Sequence, residues 1–420
     1  MSEKKFIKEK IVGREESPRH RIRHYLRVVL SAVLFGCISA GAFAASEPLL
    51  EGFLHKEEAE SIEFETEPVQ ESTEAVTEAP SEAETEALAE VVQSEIENYN
   101  FSVSSYENLM NSLKQLVSEG EKSLVEVKKS VSSRDFLGGE YAAEDSYSGV
   151  VLAISGSEVL ILTPLEAAEN SDSLEVTIQR EKSYPATVKA KDTRDRLAVV
   201  SVALSDLSEK EKKSLKEIPL GNSRLLQRGD TVAIIGAPTG TVNSSVFSSV
   251  AYLSYNETAM DRTVEDITLT GQCGSAHGSF VLNTRGELVG WADSAAENTD
   301  GFCRIAGISD YLKDIESLSN GREISYLGLQ LQEVSGELEQ NGIPAGLYVH
   351  GTEENSPAYM AGIQSGDVLV RINEQDVKTV SAYENALENT AVNDTIAVTV
   401  LRQGGQDYTE LTFTVTVGVR

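Results

Sequence analysis

Few residues in this 420-residue chain could perform covalent chemistry, and they are scattered. Of the five histidines, His20, His24 and His55 fall in the first sixty residues and His350 in the last hundred, which leaves His277 as the imidazole of the middle region. It lies in Gly274-Ser-Ala-His-Gly-Ser279, with Ser275 and Ser279 each two positions away. A serine hydroxyl becomes a nucleophile when a base removes its proton and a third group orients that base. Ser275 or Ser279 acting with His277 is therefore one reading of this loop. Against it, residues two apart on one loop seldom align for in-line proton transfer, and no orienting carboxylate is evident. Of three cysteines, Cys37 sits in an apolar run, and Cys273 and Cys303 are too few for a zinc cluster. They either pair or remain buried thiols. No motif implies a cofactor or a metal.

The elements that must hold these residues read as mainly β. Short apolar runs recur between glycines: Gly149–Ile154, Val159–Thr163, Leu174–Ile178, Leu197–Val202 and Thr231–Ile235. Such spacing predicts a closed all-β barrel or sandwich. Ser105 is the expected cap of a helix carrying Leu109, Leu113, Leu116 and Val117 at helical intervals. Further helices are expected over 205–215 and 308–318. A second β-rich unit begins near Tyr326, with a helix over Ser381–Glu388 and final strands over Thr395–Arg402 and Thr409–Val417.

The first hundred residues differ in kind. Nine lysines and arginines between Lys4 and Arg27 precede a charge-free run, Val28–Ser46. As a helix that run spans roughly 28 Å, close to a bilayer's hydrocarbon thickness. Basic residues before it and Glu47 with an acidic stretch after it follow the positive-inside rule. Ala42-Phe43-Ala44 leaves a cleaved signal peptide as the alternative. From residue 51 to 100 Lys56 is the only lysine or arginine, and glutamate, alanine, threonine and serine dominate, a composition too polar to offset its ordering entropy. The predicted organisation is a cytoplasmic leader (1–27), a transmembrane anchor (28–46), an acidic disordered linker (47–100), and two folded parts (101–320 and 321–420) outside the cytoplasm. A net charge of -31 without a basic stripe argues against nucleic acid as a partner.

Three central stretches together resemble the HtrA/Deg trypsin-like serine proteases: Leu220–Ser223 followed by Arg228–Gly240, Asp192–Val199, and Asn283–Gly290. The resemblance implies a two-barrel trypsin-like (chymotrypsin-fold) domain and assigns its triad position by position. The family's histidine, in a threonine-asparagine-asparagine-histidine pattern, falls on Glu166 of Thr163-Pro-Leu-Glu166. Its aspartate, directly before leucine-alanine-valine, falls on Arg196, while Asp195 would face the other side of the strand. Its serine, six residues before Asn283, falls on His277. Glutamate cannot replace an imidazole that first accepts and then donates a proton near neutral pH, and Arg196 would repel an imidazolium. The expectation is a non-enzyme with Glu166 and Arg196 paired, and Ser275 as the fallback nucleophile.

From Tyr326 onward the chain resembles the PDZ domain of the same family, through Tyr326-Leu-Gly-Leu329, Ser356-Pro-Ala358, Gly366–Leu369 and Ile372-Asn373. Such a domain adds an extended peptide as a strand while loop amides hold its terminal carboxylate. On that resemblance the amides of Leu327, Gly328 and Leu329 receive the carboxylate beside Tyr326. Tyr383 and Leu387, one helical turn apart, are either groove residues or core. The expected function is a membrane-tethered pseudoprotease binding unfolded or C-terminal polypeptide segments in envelope quality control. An active endopeptidase with a rearranged site is the alternative, and homo-oligomerisation or assembly with active relatives is a third role. A tag at the N-terminus should be protected from added protease in intact cells and one at the C-terminus digested. A mature chain starting at Ala45 would instead establish cleavage.

Overall fold

Strand faces decide the architecture. In β3 (Glu158–Pro164), Val159 and Ile161 turn into one apolar core while Leu160 and Leu162 turn into another. In β7 (Thr231–Gly236), Val232 and Ile234 do the same opposite Ala233 and Ile235. Alternate residues of a strand point to opposite faces, so apolar runs without alternation are strands buried on both sides. Here the second face is the seam between two barrels.

A computed structural model describes residues 62–64, 102–134, 140–274, 276–293, 301–405 and 407–420. The leader, the apolar run Val28–Ser46 and most of the acidic stretch lie outside the described residues. Among the described residues, no helix is long and apolar enough to cross a membrane.

The first barrel closes in the order β1-β2-β3-β6-β5-β4, from β1 (Leu124–Arg134), β2 (Glu140–Ile154), β3, β4 (Ser173–Ile178), β5 (Lys182–Asp192) and β6 (Leu197–Ala203). The second closes as β10-β11-β12-β9-β8-β7, adding β8 (Ser244–Ala259), β9 (Arg262–Thr270), β10 (Ser279–Leu282), β11 (Leu288–Ala292) and β12 (Phe302–Gly307). The seam buries Phe280, Leu282, Leu288 and Trp291 against Val150 and Val199. Helix α1 (Val103–Gly120) is capped three residues earlier than expected, at Ser102. Ser102 caps it through the Ser105 amide (3.3 Å), and the Ser105 hydroxyl returns the bond as the third residue of a capping box.

After the short strand β13 (Ser325–Tyr326), the third unit is a sheet in the order β14-β15-β16-β18-β19, with β14 (Leu329–Glu333), β15 (Leu347–Thr352), β16 (Val368–Ile372), β18 (Thr395–Gly404) and β19 (Asp407–Thr416), and β17 (Gln375–Asp376) pairs with β16. Helix α2 (Val380–Glu388) covers it, burying Tyr383 and Leu387 among Leu329, Leu331 and Val398. All described residues fall in one compact unit, Ser61–Arg420. Within the stretch expected to be disordered, Ile62 and Phe64 pack on the seam, and Ile62 exchanges backbone hydrogen bonds with the Asn320 side chain (3.0 and 2.9 Å).

Buried charge joins the units. Asp192 and Asp195 come from the end of β5 and the turn after it, and Asp314 from helix Leu312–Ser319. Their carboxylate oxygens lie within 4.8 Å of one another, and two guanidiniums occupy the place a cation would take. Arg262 pairs with Asp314 and lies 3.8 Å from Asp195; Arg420 pairs with Asp195, with Asp314 at 2.9 Å and with Asp192 at 3.4 Å. Three carboxylates face two cations out of water, so one negative charge is uncompensated. Burial, then the Asp195 charge, pushes Asp192 up to about 7. Burial does the same to Asp314, against the pull of Arg262. The native state then holds more protons than the unfolded chain between the ordinary carboxylate range and about 7. Unfolding free energy should fall as pH rises through that window and level off above it. Urea titrations from pH 5 to 8 should show this slope flattened in Asp192→Asn; an unchanged slope would exclude Asp192 as its source.

Candidate functional site

The loop between β9 and β10 is shaped by backbone demands. Gly278 has φ of +86°, and a Cβ there would lie 2.5 Å from the Ser148 carbonyl oxygen and 3.1 Å from Pro164. Only glycine sets the loop this close to β2 and to the end of β3. The Ser148 amide donates to the His277 carbonyl (2.7 Å), and the half-buried imidazole stacks on Tyr147, centroids 5.4 Å apart. A disulfide between Cys273 and Cys303, Cα atoms 5.7 Å apart, pins the start of the loop to β12 and settles the pairing left open by the sequence.

The two other positions assigned to the triad face the same region. Glu166 is the second residue of a four-residue helix, Leu165–Ala168, whose first amide donates to the Arg196 carbonyl (2.8 Å). Arg196, with φ of +55°, returns its side chain to Glu166 Oε1 through Nη2 and Nε, the latter at 3.1 Å. Burial first, then the charges of Asp145 and Glu166, raises the Tyr147 phenol, so the pair and the imidazole share Tyr147 as neighbour. Asp195 turns away into the buried ion cluster. Ser275 lies outside the described residues. Ser279 is buried, its hydroxyl donating to the Gly274 carbonyl.

The other predicted residues form a closed constellation. The amides of Leu327, Gly328 and Leu329 donate to one carboxylate, at 2.9, 2.8 and 2.9 Å. That carboxylate belongs to Asp261, at the two-residue turn between β8 and β9, a hairpin absent from the sequence reading. Tyr383 is fully buried and donates its hydroxyl to Asp261 Oδ1 (2.6 Å), while Leu387 is core. Tyr326 lies under Arg194, guanidinium carbon 4.4 Å from the ring centroid, and both reach Glu353. The signal for Asp261 was local: an acidic residue in Ala259-Met-Asp-Arg262, between two segments long enough to pair.

Comparison with known proteins places these geometries. Residues 147–290 match the trypsin-like peptidase domain family and residues 325–417 the PDZ domain family. The chain thus joins a trypsin-like peptidase domain to a PDZ domain, and it is similar to HtrA- and Deg-type proteases. Serine endoprotease DegS of Haemophilus influenzae is 27% identical over 269 residues, 61% of this chain and 73% of that protein. Serine protease Do-like HtrA of Lactobacillus helveticus is 25% identical over 333 residues, 73% of this chain and 78% of that protein. The solved structure of the HtrA-type protease AlgW with a decapeptide shares the fold, with a TM-score of 0.51 at 20% identity, covering 73% of this chain and 98% of that one. The expectation of a non-enzyme, drawn from Glu166, Arg196 and His277, is corrected by these relatives: they are named as serine proteases and point to protease activity. In this loop Gly278→Ala should destabilise the fold by about 1 kcal/mol or more, read as a lower urea midpoint; an unchanged midpoint would show the loop to be freer than its backbone contacts imply.

Proposed function

We propose that this chain is an HtrA-like serine endopeptidase with a rearranged catalytic site, acting on polypeptide segments that its PDZ domain receives. Two closed barrels followed by a PDZ domain, in a chain whose relatives are named serine endoproteases, carry this reading. Glu166 and Arg196 neutralise each other, so hydrolysis must draw on the loop itself. His277 is the imidazole available there; the Ser279 hydroxyl is turned into the loop backbone, and Ser275, two positions before His277, is the other serine that the sequence offers. In the rearranged site Ser275 Oγ attacks the substrate carbonyl as His277 takes its proton. His277 then returns that proton to the leaving amine, and water releases the acyl group by the same route.

The membrane belongs to the same proposal: the charge-free run 28–46 behind a basic leader supports a tether that holds the enzyme outside the cytoplasm. Substrates would be unfolded or C-terminal stretches of proteins there. Incubation of the full chain with an unfolded protein, alongside a serine-reactive fluorophosphonate probe, tests the chemistry. Expected are labelling of Ser275, slow cleavage, and loss of at least about a hundredfold in rate on Ser275→Ala or His277→Ala. Neither labelling nor cleavage, at a sensitivity that detects one turnover per hour, would end the endopeptidase reading.

A further inference from the structure

The Asp261 carboxylate occupies the place that a peptide's terminal carboxylate needs. It accepts the three consecutive amides of the PDZ loop, and its own backbone amide donates to the Leu329 carbonyl at 2.8 Å. Met260 forms an antiparallel bridge with Gln330, so the hairpin tip adds to the edge of β14 as a strand would. A chain end docked by strand addition uses the same kinds of bond: loop amides to a carboxylate, and a main-chain bond to the first residue of the receiving strand. Tyr383 adds a fourth donor, and Asp261 is 5% exposed. Beyond the tip, a cavity of about 710 Å³ runs between β14, α2 and the flank of the hairpin, lined by Leu331, Gln332, Val380, Ser381, Tyr255 and Thr258. The body of the groove is open, and its carboxylate end is filled from within.

We propose that Asp261 is an internal stand-in for a peptide C-terminus, which closes the PDZ loop until a peptide with a free α-carboxylate displaces the β8–β9 hairpin tip. This rests on the reading that the PDZ domain receives polypeptide segments. The two ligands exclude each other because three amides cannot serve two carboxylates. Entry of a peptide therefore detaches the second barrel's hairpin from the PDZ domain. Arg262, the next residue, joins the buried ion cluster, so displacement at the loop pulls on the contact between barrels and helix as well.

The test uses the full chain with Asp261→Gly, which the backbone accepts at φ of +61°, and Asp261→Asn as a second variant that keeps the shape without the charge. The probe is a fluorescent octapeptide pool, random except for an apolar last residue, as free acid and as amide. Amide exchange at Leu327–Leu329 should speed up in both variants. The free acid should bind them about tenfold or more tightly than the parent, because a tethered competitor has been removed, and the amide should not discriminate. Equal acid binding by parent and variants would overturn the gate while the peptide-receiving role survives. Faster exchange with no acid binding to any form would sink the peptide-receiving role and the gate with it, leaving Asp261 a fixed clamp. Unchanged exchange would show that the contact does not hold the loop in solution, and would overturn the proposal directly.

Discussion

Two guanidiniums set among three carboxylates, mostly withdrawn from water, fix how the parts of this molecule meet. Arg262 leaves the second barrel, Asp192 and Asp195 the first, Asp314 the helix after the barrels, and Arg420 the end of the strand that closes the PDZ domain. Charges in such a place cost several kcal/mol each to desolvate, so the cluster is a poor source of net stability. Its strength is intolerance of partial assembly: an orphaned buried charge costs about 3–5 kcal/mol. Four elements must therefore arrive together, which explains why the three β units form one unit instead of beads on a string.

Asp261 and Arg262 are consecutive, the last residue of the turn and the first of β9, and their side chains go to different destinations. One reaches the PDZ loop and the other the ion cluster. The hairpin tip is thus a rigid coupling between a ligand-recognition loop and the centre of the molecule. Near the candidate active site, Glu166 and Arg196 do something simpler: each satisfies the other's charge at the rim of the seam. The loop bearing His277 is held by backbone geometry and by the stacking of the imidazole on Tyr147.

The architecture was legible because it rests on local pattern. Apolar runs buried on both faces gave the barrel strands, and Tyr326–Leu329 gave the loop whose amides converge. The pairing of Glu166 with Arg196 followed from placing opposite charges at two positions of one cleft. What escaped was long-range and polar. Strands β8 and β9 alternate polar residues with scattered apolar ones, Ser245, Ser248 and Asn256 among them, and carry little periodic signal. No local rule says that an aspartate in a turn will find three amides nearly seventy residues away. Ile62 and Phe64 escaped for a related reason: two apolar side chains in an acidic stretch dock only because the seam leaves room for them. The inference that the triad positions make a non-enzyme was overturned at a different level: it weighed three side chains, whereas the relatives of the whole chain are named as serine proteases.

The bond between Cys273 and Cys303 encloses His277, β10 and β11 in a covalent ring. A ring of this size removes about 3–4 kcal/mol worth of freedom from the unfolded chain, on the chain-entropy account. An oxidising compartment preserves that bond and a reducing one opens it. The loop that carries the candidate chemistry is therefore also the part of the molecule whose order depends on the electrons of its surroundings: the same polypeptide, handed two of them, keeps its sequence and its barrels' hydrogen bonds but loses the clasp that sets its imidazole.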